Sequence, residues 1–152
     1  MNEGLKTNQA GLDLIKEFEG LHLTPYLCPA KIWTIGYGHT RTVSAGMRIT
    51  PEQAEDLLKD DLGLAERGVA RLVAVQLNEN QFSALVSFAF NIGLGNFERS
   101  TLLQLLNRGW FEQVPTQLLR WNRVNGEVMG GLSRRRSAEG ALWATPINQA
   151  VA

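Results

Sequence analysis

The chain has 152 residues, of which 44% are hydrophobic and 20% are charged. This composition is typical of one folded domain with a substantial core, and it excludes a compositionally disordered chain. The 15 basic and 15 acidic residues balance, which excludes a strongly basic nucleic-acid-binding protein as a first interpretation. The balance is uneven along the chain, because from Arg99 onward seven arginines stand against three glutamates.

The single cysteine, Cys28, cannot form a disulfide within the chain, so the fold must depend on its core. The polar residues 1–8 do not resemble a secretory signal. No stretch reaches the roughly 18 consecutive apolar residues of a membrane span. We therefore expect neither an export signal nor stable membrane insertion.

A helix and a small sheet are the first elements that the sequence predicts. Asn8 can cap a helix that carries one apolar face and ends near Gly20. Strand-forming residues separated by prolines and glycines then predict short antiparallel strands over residues 21–47. Glu19 lies at the junction of helix and sheet, where a carboxyl group can face a cleft.

The following helix has a strong start signal. Thr50 and Gln53 can form a capping box around Pro51, which suits the first helical position. Gly63 and Gly68 predict that this helix is weak or kinked toward its end.

The rest of the chain is also predicted to be helical. Asn78 opens a central helix that is apolar on most faces and stops at Gly93. Asn125-Gly126 is a hairpin-turn signal. Later helices are predicted over three ranges: 100–109, 112–121 and 132–143. The sequence therefore predicts an α+β, mainly helical fold in two lobes, with its sheet confined to residues 21–47.

Three strings near the start of the chain carry a family resemblance. Residues 14–20 read Leu-Ile-Lys-Glu-Phe-Glu-Gly, residues 26–30 read Tyr-Leu-Cys-Pro-Ala, and residues 33–40 read Trp-Thr-Ile-Gly-Tyr-Gly-His-Thr. They resemble the phage-type lysozyme (endolysin) family, glycoside hydrolase family 24. The family pattern is Glu, eight residues, Asp or sometimes Cys, five residues, then Thr. Here it falls on Glu19, Cys28 and Thr34, and further matches extend over nearly the whole chain.

The resemblance implies cleavage of the β-1,4 bond between N-acetylmuramic acid and N-acetylglucosamine in peptidoglycan. It also implies a single two-lobed lysozyme domain over residues 1–152. The small lobe would cover about 12–55, and the helical lobe about 56–152 plus the N-terminal helix. Glu19 is the expected acid, which must stay protonated to serve the leaving oxygen. Thr34 has a hydroxyl that can orient a water molecule.

Cys28 stands where the family more commonly has Asp, and a thiol is not an always-ionised carboxylate. A free thiol has a pKa of about 8.5, so only a few per cent is thiolate at neutral pH unless the site changes this. Three roles stay open. Cys28 can act as a thiolate in place of Asp, as a nucleophile that forms a covalent glycosyl intermediate, or as a bystander while Thr34 holds the water.

The resemblance also suggests four substrate-binding residues, each with a structural alternative. Tyr37 and Phe90 can contact sugar or pack in the core. His39 and Asn91 can bind substrate, or respectively make a buried hydrogen bond and cap a helix. The arginine run 134–136 is either a solvated helix face or a patch that steers the protein toward anionic cell wall.

No metal or cofactor is implied, because His22, Cys28 and His39 match no compact zinc pattern. By resemblance, we expect a monomer that acts on peptidoglycan glycan strands and binds no nucleic acid. It would accumulate in the host cytoplasm until a holin opens the membrane, and then act on the cell wall. Two alternatives stay open: a lytic transglycosylase that makes 1,6-anhydro products, and a non-catalytic cell-wall-binding homologue.

Overall fold

The computed structural model describes residues 1–147. Its N-terminal part contains α1 (Gln9–Glu19), β1 (His22–Leu27), β2 (Trp33–Gly36), α2 (Pro51–Leu72) and α3 (Glu79–Ile92). It continues with α4 (Leu94–Arg99), α5 (Thr101–Asn107), a 3-10 turn (Phe111–Gln113), α6 (Val114–Leu119), β3 (Arg123–Val124), β4 (Glu127–Val128) and α7 (Gly130–Ala144). The predicted α+β, mainly helical fold is confirmed.

The predicted helix caps at Asn8, Thr50 and Asn78 are confirmed. The Asn8 side chain accepts a hydrogen bond from the Gly11 N–H at the start of α1. Capping boxes open α2, at Thr50 and Gln53, and α3, at Asn78 and Gln81. In each case the cap satisfies backbone N–H groups that have no partner within the helix.

Helix α2 runs through both glycines without interruption, and its predicted weakness or kink stays a prediction. Gly68 has a packing role. A Cβ atom built there would lie 2.4 Å from Leu94 Cδ2, so the missing side chain lets α4 pack closely on α2. The contact is with another helix, so the local sequence around Gly68 does not reveal it.

Two elements differ from the prediction. Helix α4 was not predicted, since its six residues are too few to show a helical period. The sheet is not confined to residues 21–47, because β3 and β4 pair antiparallel around the predicted turn at Asn125-Gly126. In the main sheet, β1 and β2 are antiparallel, and Tyr26 pairs with Thr34.

Two apolar clusters hold these elements together. The larger one surrounds α3, whose phenylalanines Phe82 and Phe88 are fully buried, and α1, α2 and α7 pack on this helix. The smaller one lies beside β2 and comprises Ile35, Ile49 and Ala54. We propose these clusters as the cores of the two predicted lobes. Within residues 1–147, no helix is both long and apolar enough to cross a membrane.

The contact between α1 and α3 depends on Gly11. A Cβ atom there would lie 2.7 Å from Ser83 Cβ and 2.8 Å from Thr7 Cγ2. We expect Gly11→Ala to lower the free energy of unfolding by about 1–3 kcal/mol, because buried atoms would overlap. Urea denaturation followed by circular dichroism measures the change.

Gly63→Ala is the matched control in another helix. The nearest atom to a Cβ there is Arg67 Nη1, at 3.2 Å on a flexible side chain. We expect a gain of roughly 0.5–1 kcal/mol from helix propensity and reduced entropy of the unfolded chain. Equal effects of the two substitutions would contradict the packing role of Gly11.

Candidate active site

Glu19 is held at the end of α1 by groups that are distant in sequence. Gly20 turns the chain with φ of 74°, and Glu19 Oε2 accepts a hydrogen bond from Arg135 Nη1 at 2.6 Å. The Glu19 side chain is 21% exposed, and that of Arg135 is 4% exposed. On the other side, a Cβ atom at Gly38 would lie 3.1 Å from Glu19 Oε1. The carboxylate therefore lies between the turn after β2 and helix α7.

Glu19 borders a cavity of about 620 Å³. Residues from α1, the end of α3, the β3–β4 hairpin and the start of α7 line it: Glu17, Phe18, Glu19, Asn91, Val124, Met129, Gly131, Leu132, Arg134 and Arg135. The cavity is open to solvent and carries both charged and apolar groups. A lining that combines charged and apolar groups suits a polar ligand that also has apolar faces.

Tyr26 links the predicted catalytic residues electrostatically. Burial raises the pKa of Tyr26 most, and the negative charges of Cys28 and Glu19 raise it further. Tyr26 also pairs directly with Thr34 across the two strands. The hairpin thus brings Cys28 and Thr34 to the same region as Glu19. Tyr26 belongs to a predicted strand and begins one of the family strings, but nothing in its local pattern predicts this electrostatic contact with Glu19.

Cys28 lies half-buried in the turn that joins β1 and β2. A hydrogen bond from the Ile32 backbone lowers the pKa of the Cys28 thiol, and desolvation partly opposes it. The Ala30 backbone and the Thr34 hydroxyl lower this pKa further. Because these groups stabilise the negative sulfur, the turn favours the thiolate more than water does.

Thr34 is almost completely buried, and its hydroxyl donates to the Ile32 carbonyl at 3.0 Å. A hydroxyl has a single proton. Thr34 can therefore donate to the Cys28 thiolate only when it releases the Ile32 carbonyl. The observed bond shows one of these two states, and rotation of the hydroxyl about its C–O bond connects them.

Two predicted substrate-binding residues, Tyr37 and His39, contact other side chains of the protein. Tyr37 packs against both apolar clusters, and Lys16 Nζ lies 5.8 Å from the centre of its ring. His39 is buried, and its Nδ1 lies 2.8 Å from Asp61 Oδ2. Arg41 donates to the other Asp61 oxygen at 2.9 Å. We propose structural roles for Tyr37 and His39, which were the open alternatives.

The other two predicted binding residues lie at the end of α3. Phe90 is half-buried against the larger cluster. Asn91 is exposed, lines the cavity and accepts a hydrogen bond from Arg136 Nη2. The helix cap is Gly93, so the alternative role of Asn91 as a cap is wrong. We propose Asn91 as a substrate-binding residue because its side chain borders the same cavity as Glu19.

The arginine run does not form the predicted solvated face. Arg134 is exposed, whereas Arg135 and Arg136 are buried. The sequence does contain a signal, since Glu139 follows these arginines at the i+4 and i+3 spacings of helical ion pairs. The link from Arg135 to Glu19 spans 116 residues, and no local pattern reveals it.

Glu139 and Arg136 are neighbours inside the protein, where burial disfavours the charged form of each side chain. Burial raises the pKa of Glu139, and the nearby guanidiniums of Arg136 and Arg135, with a hydrogen bond from Ser87, oppose the rise. Burial also lowers the pKa of Arg136.

Within the described range, no group of three or more His, Cys, Asp and Glu side chains is arranged to hold a metal ion.

The thiolate environment can be tested directly, because Cys28 is the only cysteine. We expect thiolate absorbance at 240 nm to give a pKa below the ordinary value for cysteine. Thr34→Val should raise this pKa part of the way back, since it removes one hydrogen-bond donor while the backbone donors remain. Thr34→Ser keeps the hydroxyl and is the control. An unchanged pKa in Thr34→Val would contradict the proposed contact.

Known proteins resemble the chain over most of its length. The family profile described as "Phage lysozyme" matches residues 16–139. The endolysin of Bacillus phage PZA is 46% identical over 149 residues, which are 95% of this chain and 58% of that protein. The chain thus spans little more than half of that relative's length. The SAR-endolysin of Enterobacteria phage P21 is 34% identical over 128 residues, which are 82% of this chain and 78% of that protein.

A solved structure shows the same fold. The muramidase domain of SpmX from Asticaccaulis excentricus superimposes with a TM-score of 0.89 and is 41% identical, covering 93% of this chain and 99% of that one. The matched range includes Glu19 and Arg135, which line the cavity, and also Cys28 and Thr34. The chain belongs to the phage lysozyme family.

Proposed function

We propose that the chain hydrolyses peptidoglycan so that a phage can lyse its bacterial host. The bond cut is the β-1,4 bond between N-acetylmuramic acid and N-acetylglucosamine, which makes the protein a muramidase. One observation carries this proposal: the carboxyl group of Glu19 borders an open cavity of about 620 Å³ and is held there by a buried arginine. Membership of the phage lysozyme family supports it.

Glu19 is the proposed general acid. Glycoside hydrolysis needs a proton donor for the leaving oxygen, because the transition state is oxocarbenium-like. Arg135 occupies Oε2 of Glu19, which leaves Oε1 to carry the proton. The close backbone at Gly38 limits where Oε1 can move. A fixed carboxyl group saves the entropy that a mobile acid would lose in the transition state.

Cys28 and Thr34 are proposed to manage the water that attacks the anomeric carbon. A thiolate at Cys28 can accept a hydrogen bond from water and can stabilise the developing positive charge of the sugar. The lowered pKa of the thiol makes this form more abundant than in a free cysteine. The Thr34 hydroxyl can hold the same water when it turns away from Ile32.

The wider biological setting follows from the family. The proposed substrate is the glycan strand of peptidoglycan, and the proposed active form is a monomer. We propose that the protein leaves the host cytoplasm after a holin opens the membrane. Release by a signal-arrest-release segment is the alternative suggested by the name of the phage P21 relative. A non-catalytic cell-wall-binding role is a further alternative, which the placement of Glu19 at the cavity disfavours.

Product analysis separates hydrolysis from transglycosylation. We expect mass spectrometry of digested peptidoglycan to show reducing ends, because the proposed mechanism uses water. Dominant 1,6-anhydro ends would identify a lytic transglycosylase instead. Glu19→Gln should lower the rate by about 10²–10⁴-fold, since the general acid is lost. Glu79→Gln, at the exposed start of α3, is the control and should keep the wild-type rate.

Substitutions at Cys28 test its role. If a negative group is needed, Cys28→Asp should keep much of the activity and Cys28→Ser should lose most of it. The wild-type rate should rise with pH as the thiol ionises. Cys28→Asp should stay active at lower pH, because carboxyl groups ionise near pH 4.

The same variants discriminate among the three roles of Cys28. A fully active Cys28→Ala protein would identify a bystander. A glycosyl adduct on Cys28, detected by intact-protein mass spectrometry during turnover, would identify a nucleophile. Activity in Cys28→Asp without any adduct in the wild type supports the water-positioning role.

A further inference from the structure

A fully buried carboxylate lies behind the cavity and has no place in the mechanism above. Glu139 of α7 is 0% exposed, as is the neighbouring side chain of Arg136. Glu139 Oε2 accepts from Ser87 Oγ at 2.5 Å and from Arg135 Nε at 3.4 Å. Its other oxygen, Oε1, lies 3.0 Å from Arg136 Nη1. One carboxylate thus contacts two guanidiniums.

Each of these guanidiniums reaches outward to a different side chain that lines the cavity. Arg135 Nη1 donates to Glu19 Oε2 at 2.6 Å. Arg136 Nη2 donates to Asn91 Oδ1. Glu19 ends α1 and Asn91 lies near the end of α3, so the two contacts join three helices through one buried group.

The planar guanidinium of Arg135 is fixed along all of its edges. Its Nε contacts Glu139, its Nη1 contacts Glu19, and its Nη2 donates to the Ser87 carbonyl at 3.2 Å. A guanidinium bound in this way cannot rotate without breaking several charge-assisted hydrogen bonds. Arg136 is fixed from another side, because its guanidinium lies 5.0 Å from the centre of the Phe88 ring.

We propose that Glu139 is a positioning residue for the general acid: by orienting Arg135, it sets the placement of Glu19 at the cavity. This inference rests on the proposed function and adds to it a residue that never contacts substrate. The effect is on the geometry of the acid, so it should appear in kcat rather than in KM. A misplacement of about 1 Å at a catalytic group can lower the rate roughly 100-fold.

The test measures kcat and KM of the full chain on soluble, uncrosslinked peptidoglycan glycan strands. Glu139→Gln keeps the shape of the side chain but removes the charge that orients both guanidiniums. We expect kcat to fall about 10- to 100-fold with little change in KM. In an Arg135→Gln background, Glu139→Gln should have little further effect on kcat, because the residue acts through Arg135.

Glu66→Gln is the matched control. Glu66 is also a largely buried carboxylate, and its Oε2 accepts from the N–H and the hydroxyl of Thr7, both at 2.8 Å. It lies at the junction of α1 and α2, away from the lining of the cavity. We expect Glu66→Gln to lower the melting temperature and to leave kcat unchanged at a temperature where the protein is folded.

The outcomes separate this inference from the proposed function. A wild-type protein that does not cleave glycan strands would overturn the proposed function itself. An active wild type with unchanged kcat in Glu139→Gln, or with additive losses in the double variant, would overturn the positioning role. If Glu139→Gln does not fold, Ser87→Ala takes its place in the same cycle, since Ser87 contacts both Arg135 and Glu139. Additive losses of kcat in the Ser87→Ala, Arg135→Gln double variant would then overturn the positioning role.

Discussion

The ion pair between Glu19 and Arg135 is the interaction on which the site depends. It joins the end of α1 to α7 across 116 residues, so it exists only when both helices have packed on α3. A charge-assisted hydrogen bond contributes about 1.5–3 kcal/mol. Burying one large apolar side chain such as Phe88 contributes a similar amount, and the core has many of them. The core therefore determines the fold, and the ion pair determines where one carboxyl group points within it.

The buried charges behind this pair are not explained by stability. Among residues 1–147, Arg136 Nε and Nη1 and Glu139 Oε1 find no well-aligned hydrogen-bond partner, although Nη1 lies 3.0 Å from Oε1. Replacing a buried ion cluster with apolar side chains is often neutral or stabilising. A cluster that costs folding energy in this way is understandable when it orients groups at a functional site. Its position directly between the core and the cavity is consistent with that role.

The features that could be predicted from the sequence are those whose causes lie within a few residues. Asn8, Thr50 and Asn78 cap helices through backbone groups at most three positions away, so their pattern is visible in the sequence. The structural consequences of Gly68 and Arg135 depend on partners in other helices. Glycine weakens an isolated helix on average, and arginine is exposed in most proteins. At Gly68 and Arg135, a contact with a residue distant in sequence outweighs this average tendency. The motif identified Glu19 as a candidate residue, and the structure shows that Glu19 lines the cavity and that Arg135 holds it there.

Cys28 illustrates how a site can change its chemistry without changing its fold. The groups that stabilise its thiolate include the backbone of Ala30 and Ile32 in the turn and the hydroxyl of Thr34 in β2, all within six residues of Cys28. Backbone N–H groups can donate to a carboxylate oxygen as well as to a sulfur, as they do where an Asp side chain bonds to its own turn. The turn can therefore hold either anion in nearly the same place. What differs is the pH at which the anion forms, because a thiol ionises several pH units above a carboxyl group. We therefore propose that cysteine at this position changes the pH range of the proposed site more than its geometry.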